Sequence, residues 1–371
     1  MIIRNARVLS EDGGFKQGDI FIEGGRFSEA PSGGETLNAG GCYALPGLID
    51  IHFHGAAGYD FCDGTPEALR AISAYEASQG VTAICPATVT QPEDALIRAC
   101  ENARALKGKL EGAELVGINL EGPFINKEKK GAQNPDYIRD PDIAMFERLQ
   151  AASGGLIKLC DLAPELEGAM DFIRRFKDEL VISLAHTSAN YETARAACEA
   201  GASHLTHLFN AMPPLLHRDP GVIGAASEAN CEAELIADGI HVHPSAVRAA
   251  LRLFGEDKVI FISDSMRAVG LPDGDYTLGG LAVKVKGRLA TLEDGTIAGS
   301  ATPLLGCLQT AVRDMGIPLE TAARCASENP ARCIGVFEER GSISVGKAAD
   351  LILLDENLEL KNVILKGRVY C

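Results

Sequence analysis

Two histidines one residue apart close the apolar run Ala44-Leu-Pro-Gly-Leu-Ile-Asp-Ile-His-Phe-His-Gly55. Read as a strand, the run has a side-chain period of two, which puts His52 and His54 on one face and Phe53 on the other. Two imidazoles on one face can grip one metal ion. Further candidates stand at or near the ends of other apolar runs: Glu121 after Leu115 to Leu120, His186 after Leu180 to Ala185, His207 after His204 to Thr206, and Asp264 after Lys258 to Ser263. Four histidines, a glutamate and an aspartate make a nitrogen and oxygen donor set for a borderline divalent ion such as zinc, iron(II) or cobalt. There are ligands enough for one or two ions per chain, with Glu121 able to bridge. Such an ion polarises a carbonyl and lowers the pKa of a bound water. Asp264 can accept the water proton and return it to a leaving amine. The chemistry implied is hydrolysis of an amide or a related bond.

For these six side chains to meet, the elements that carry them must converge. Eight short apolar runs, opening at Leu48, Val81, Leu115, Leu156, Leu180, His204, Glu232 and Lys258, alternate with helical patterns such as Pro66 to Gln79, Pro92 to Leu106, Asp142 to Ala151, Gly168 to Phe176, Asn190 to Ala200 and Pro244 to Phe254. Eight strands alternating with helices predict an α/β fold, a (β/α)8 TIM-like barrel, with a doubly wound open sheet as the alternative. A barrel requires functional residues at the carboxyl ends of its strands, which is where the six candidates fall. Residues 1–43 and 341–371 carry short apolar segments between Gly-rich turns, the pattern of a small antiparallel sheet, and neither end has enough core to stand alone. The expectation is a small β-sandwich domain built from both termini, 1–43 plus 341–371, and a metal-dependent catalytic barrel over 44–340. Pro46 and Gly47 mark the passage between them.

Composition narrows the partners. The chain has 371 residues and a formal net charge of -16, which argues against nucleic acid or an anionic membrane as partner. No apolar stretch reaches membrane-spanning length and the start lacks a signal-peptide pattern, so a cytoplasmic enzyme acting on a small molecule is expected. Eleven scattered cysteines without a C-x-x-C pair read as free thiols in a reducing compartment. An anionic substrate would need a local positive pocket against this acidic background. Gly341 to Ala348 approaches a phosphate-loop pattern, but Ala348 stands where Ser or Thr is needed and a strand follows, so nucleotide binding is rejected there.

The motifs also carry a resemblance. Pro46 to His54 resembles the opening of the amidohydrolase superfamily. Asn119-Leu-Glu-Gly-Pro-Phe124, Leu184-Ala-His-Thr187, Thr206-His-Leu-Phe-Asn-Ala-Met212, Arg218-Asp-Pro-Gly221, Ala237-Asp-Gly-Ile-His241, Ile262 to Gly274 and Ile297-Ala-Gly-Ser300 together resemble the N-acetylglucosamine-6-phosphate deacetylase family. The resemblance implies a metal-dependent deacetylation of that sugar phosphate in amino-sugar catabolism and cell-wall recycling, with zinc or iron as the ion. It assigns Glu121, His186 and His207 to the principal metal site, His52 and His54 with Glu121 to a second ion, and Asp264 to general base and acid. Asn210 and Ala211 would touch the sugar phosphate, with Arg218 and His241 on the phosphate itself. Arg218 sits on the Pro213 to Gly224 loop, which in the family reaches a neighbouring subunit, so a homodimer is implied. The family's usual histidine beside the acetyl carbonyl falls on Gln133, whose amide can donate to an oxyanion but carries no charge. His204, His217, His243 and Glu165 read as packing or supporting groups, with His204 facing outward because it lies an odd number of positions from His207. Cys62, Cys85 and Cys160 read as packing thiols, and Lys127-Glu-Lys-Lys130 as a solvated charge run, with guarding of the substrate entrance as the alternative.

Overall fold

The computed structural model describes residues 1–30 and 33–371. Its central element is a ring of eight short parallel strands: β1 (Leu48–Asp50), β2 (Val81–Ile84), β3 (Ile118–Glu121), β4 (Ile157–Leu162), β5 (Val181–Leu184), β6 (His204–Leu205), β7 (Glu232–Ile236) and β8 (Val259–Ile262). β1 pairs with β2, and β3 to β8 pair with one another in chain order, all parallel. An Ala87–Asn119 bridge joins the continuation of β2 to β3. The Asp264 amide donates to the His52 carbonyl at 2.9 Å and joins the ends of β8 and β1. Sequential order with both ends joined is a barrel, not a doubly wound sheet, in which the order would reverse. β1, β2, β3 and β8 are buried along their whole length, which is why they are nearly unbroken apolar runs without alternation.

Helices flank the ring where the periodicity places them: α1 (Pro66–Ser78), α2 (Glu93–Leu106), α3 (Ile143–Ser153), α4 (Ala169–Phe176), α5 (Tyr191–Ala200) and α7 (Pro244–Phe254). Their starts are written locally. Thr65, Asp142 and Asn190 accept hydrogen bonds from amides of the first turns of α1, α3 and α5, and Pro opens α1 and α7. α6 (Gly221–Glu228) begins inside the stretch read as a loop, because its first six residues are all buried and leave no amphipathic period to read. Beyond β8 come three short helices, α8 (Leu304–Arg313), α9 (Leu319–Cys325) and α10 (Glu328–Cys333), and before them a three-stranded antiparallel sheet over Gly274–Leu278, Leu281–Lys286 and Leu289–Thr291. That sheet packs Leu278, Val283 and Val285 against Val89 and Met266 beside the barrel mouth.

The two termini join in one eight-stranded sheet whose central strand, Ile2–Leu9, pairs with Phe15–Glu23 and with Tyr43–Pro46, the latter pairing with Leu351–Leu354. The sheet is mixed, which corrects the antiparallel reading: Ile2–Leu9 runs parallel to both Thr36–Asn38 and Tyr43–Pro46. The Gly-rich turns alone could not distinguish a hairpin from a longer return. Alternation decides its two faces. Leu351, Leu353 and Ile364 join Ile3, Ile20 and Phe27 in a separate small core, while Ile352, Leu354 and Val363 belong to the main core of the barrel and its helices. Between Tyr43–Pro46 and β1 stands Gly47, whose amide donates to the Asp350 carbonyl at 3.0 Å. A Cβ at Gly47 would lie 2.1 Å from Thr82 Oγ1 and 2.8 Å from Thr82 Cβ. Thr82 is buried in β2 and has nowhere to withdraw. We predict that Gly47→Ala lowers stability by about 1–3 kcal/mol through overpacking; a melting temperature equal to that of the parent chain would count against this.

Candidate active site

Each candidate side chain is raised over the barrel mouth by a local backbone device. Glu121 ends β3, and His52 and His54 extend beyond β1. His186, His207 and Asp264 each stand two residues past the ends of β5, β6 and β8, with φ of 43, 29 and 48°. A left-handed residue breaks the strand and turns the next segment away, at a cost of roughly 1–3 kcal/mol for a side-chain-bearing residue. Three such residues converging on one point mark a site held by its surroundings rather than by local preference.

The six residues meet. Glu121 Oε1 lies 3.0 Å from His186 Nε2, 3.2 Å from His207 Nε2 and 3.6 Å from His52 Nε2. Its Oε2 lies 3.4 Å from His54 Nε2. Asp264 Oδ1 is 3.2 Å from His54 Nε2 and 3.9 Å from His52 Nε2. All six are buried, and Asp264, at 8 % the most exposed of them, keeps an edge on the cavity.

The hydrogen bonds around the rings test whether an ion fits. His186 Nδ1 is 2.7 Å from the Lys129 carbonyl, an acceptor only, so that nitrogen carries the proton and Nε2 of the neutral ring presents a lone pair. His52 Nδ1 likewise donates to Glu234 Oε2 at 2.8 Å, leaving its Nε2 bare, buried and without a partner. The Nε2 atoms of His186 and His207 face each other at 3.1 Å, both against the Glu121 carboxylate. Lone pairs and anionic oxygen so arranged repel unless a cation stands among them. Ligand atoms of His52, Glu121 and His207 all lie within 4.8 Å of one another, as do those of His52, His54 and Asp264. The donors fit a divalent ion of the zinc or iron(II) type. Electrostatics agree. Burial pushes the Glu121 carboxyl up, but the rings of His186, His207 and His52 around it outweigh that and hold the group well below the usual carboxylate range. Asp264 is likewise raised by burial and brought below its ordinary value chiefly by His54, so it stands ionised.

The mouth opens into a cavity of about 340 Å³ that is lined by His54, Glu121, His186, His207 and Asp264 together with Gln133, Asn210, Ala211 and His241. His241 Nδ1 lies 2.8 Å from Asp238 Oδ2. Burial alone would depress the ring, but the Asp238 carboxylate prevails and raises its pKa, so its positive charge persists to higher pH. Gln133 Nε2 donates to Glu121 Oε2 at 2.7 Å and its Oε1 accepts from the Thr90 amide at 2.6 Å, which leaves one amide hydrogen free. Arg218 is exposed and is not among the residues lining this cavity.

The sequence reading missed several supports. Glu234 lies wholly buried beneath the mouth, between His52 and His204. Burial pushes its carboxyl up, yet His52 and His204 hold it at about 2. The available signal was a carboxylate within the apolar strand Glu232–Ile236. His204 does not face the outer helices: its Nε2 is 3.3 Å from Glu234 Oε1 inside the barrel. β6 stops at Leu205 and the chain turns, so counting residues to His207 carries no parity. The Lys127 to Lys130 run is more than a solvated face, since Glu128 and Lys129 line the cavity and the Lys129 carbonyl orients His186. Glu165 supports rather than ligates, accepting from Asn126 Nδ2 at 2.7 Å and the Ser188 amide at 2.6 Å. His243 caps α7. Cys85 and Cys160 are buried free thiols. We predict that Glu121→Ala, which removes the one carboxylate common to all these imidazoles, cuts bound divalent metal more than tenfold on elemental analysis; native metal content in that variant would refute the assignment.

Comparison with known proteins agrees with this geometry. A model of the amidohydrolase family matches residues 43–370. The chain is 40% identical to an N-acetylglucosamine-6-phosphate deacetylase of Bacillus subtilis (strain 168), covering 100% of this chain and 96% of that one. It is 34% identical to an N-acetylgalactosamine-6-phosphate deacetylase of Escherichia coli O157:H7, over 99% of this chain and 98% of that one. Among solved structures, an aspartate-to-alanine mutant of the N-acetyl-D-glucosamine-6-phosphate deacetylase of Mycobacterium smegmatis, in complex with N-acetyl-D-glucosamine-6-phosphate, superposes with a TM-score of 0.91 at 32% identity, covering 100% of this chain and 98% of that one. A barrel with imidazoles and carboxylates at its mouth, matched over its whole length by such relatives, places the chain in the amidohydrolase family, among the N-acetylglucosamine-6-phosphate deacetylases.

Proposed function

We propose that this chain hydrolyses N-acetylglucosamine 6-phosphate to glucosamine 6-phosphate and acetate, within amino-sugar metabolism. The observation that carries the reading is the cluster of Glu121, His186 and His207 with ionised Asp264 beside it, opening on a cavity that also holds the cationic edge of His241. The division of labour is a catalytic barrel over 44–340 carried on a β-domain of 1–43 and 341–371, with the opening residues 44–46 of the barrel segment still paired in the terminal sheet.

Glu121, His186 and His207 would hold the principal ion, and His52 and His54 with Glu121 offer a position for a second. A divalent ion held there would polarise the acetyl carbonyl and lower the pKa of a bound water. Asp264 takes the proton of the attacking water as its oxygen bonds to the acetyl carbon. The same carboxyl then returns that proton to the sugar nitrogen as the carbon–nitrogen bond breaks. The free amide hydrogen of Gln133 is directed to the developing oxyanion. Asn210 and Ala211 face the sugar phosphate.

His241 supplies one positive charge for the phosphate and Arg218 a guanidinium fork that suits it. Arg218 is exposed and does not line the cavity of its own chain, so it would serve the site of a second copy. A homodimer is supported by the apolar groove beside it, formed by Phe209, Met212, Leu215 and Leu253, with Leu215 and Leu253 exposed at 43% and 42%. No helix among the described residues is long and apolar enough to cross a membrane.

Two outcomes are expected. Acetate release from N-acetylglucosamine 6-phosphate should fall about 10²–10⁴-fold in Asp264→Asn, and faster turnover of the galactosamine epimer would replace the substrate while keeping the chemistry. Arg218→Ala should raise KM more than it lowers kcat in a chain that sediments as a dimer; an unchanged KM, or a monomeric mass with full activity, would remove Arg218 from the phosphate site.

A further inference from the structure

At the end of the barrel opposite the mouth, where β6 and β7 begin, a second group of metal-ligating side chains comes together from three elements. His204 opens β6, Glu232 opens β7 and Cys333 ends α10. One ligand atom of each lies within 4.8 Å of the other two. His204 Nδ1 is 3.5 Å from Cys333 Sγ and 3.7 Å from Glu232 Oε2. An ion with bonds of about 2.0–2.3 Å to nitrogen, oxygen and sulfur at tetrahedral angles separates its donors by roughly 3.3–3.6 Å. Both His204 distances therefore stand within a few tenths of an ångström of coordination spacing, and Cys333 and Glu232 lie within 4.8 Å of each other.

The direction of the ring strengthens the case. His204 is fully buried, and its Nε2 faces Glu234 Oε1 at 3.3 Å. Nε2 and Glu234 Oε1 make no other hydrogen bond, while Nδ1 is turned toward the thiol and the Glu232 carboxylate, the two groups that would share an ion with it. A ligating histidine with a carboxylate beside its other nitrogen is the usual arrangement at metal sites. Glu232 Oε1 is turned toward Lys258 Nζ at 3.9 Å, which leaves Oε2 for the triad. The Glu232 side chain is 22% exposed, so an ion has a way in from solvent.

We propose that His204, Glu232 and Cys333 form a second metal site, separate from the barrel mouth, that takes zinc or a similar borderline divalent ion with water in the fourth position. Thiolate, imidazole and carboxylate together select such an ion over magnesium or calcium. On binding, the Cys333 thiol proton leaves to solvent and the sulfur bonds to the metal as thiolate. The site also meets the mouth through one carboxylate: Glu234 faces His204 with Oε1 and His52 with Oε2.

The test uses the full chain, stripped with chelator and titrated with cobalt(II). Of the candidate groups among the described residues, this one alone contains sulfur, so a thiolate-to-cobalt band in the near ultraviolet reports on it and not on the mouth. The expected result in the parent is a band whose amplitude saturates at one thiolate-bound cobalt per chain, cobalt taken up at the mouth adding nothing to it. It should be more than tenfold weaker in Cys333→Ser, with acetate release within twofold of the parent. Glu232→Ala guards against a misfolded serine variant, and should keep the band while raising the cobalt concentration at half-saturation at least tenfold. No band in the parent, an undiminished band in Cys333→Ser, or an unchanged half-saturation in Glu232→Ala would each overturn the site, whatever the substrate assay reads.

Discussion

A buried negative charge that needs positive company governs this molecule. The Glu121 carboxylate sits out of water with the rings of His52, His54, His186 and His207 turned toward it. Isolated in such a place a carboxylate would take up a proton, and the imidazole lone pairs around it would remain unsatisfied. The cluster is consistent as a metal cradle and strained as anything else. Much of the surrounding architecture serves to keep it from relaxing: the left-handed turns at His186, His207 and Asp264, the Lys129 carbonyl on His186, and Glu234 on His52.

Glu234 shows how deep that support reaches. It is a fully buried anion in the middle of a parallel barrel, a position that apolar packing would fill more cheaply. Its two oxygens orient two histidines, one toward the mouth and one toward the opposite end. Nearby Asp161 has no hydrogen-bond partner on either oxygen, and burial pushes its carboxyl well up. The barrel interior is thus a polar column with an apolar wall, and its neighbours decide which carboxyl groups keep their charge.

The wall depends on the terminal sheet as much as on the helices. One face of Leu351–Leu354 closes a small core of its own and the other face completes the core around the barrel. Arg340, nearly buried, pairs with both Asp350 and Glu114 and ties the returning chain to the strand next to β2. Gly47 lets the chain pass between the sheet and β1 without a side chain in the way. That passage is continuous with His52 and His54, so the packing of the termini reaches the mouth along the backbone.

By itself the sequence determined the features that a short stretch of chain can encode. Strand runs that are apolar throughout, helices with capped starts and the position of each ligand at the end of its run are all specified within a few residues, and they suffice for a barrel with six groups at its mouth. The tertiary structure decided everything that depends on distance between segments remote in the chain. It alone brings Glu234 beneath His52, turns His204 inward where β6 stops after two residues, leaves Arg218 out of the lining of its own cavity and makes the terminal sheet mixed. Hydrophobic period and capping act over one or two turns of chain, whereas hydrogen-bond partners, buried charges and strand direction are settled only when the whole barrel closes.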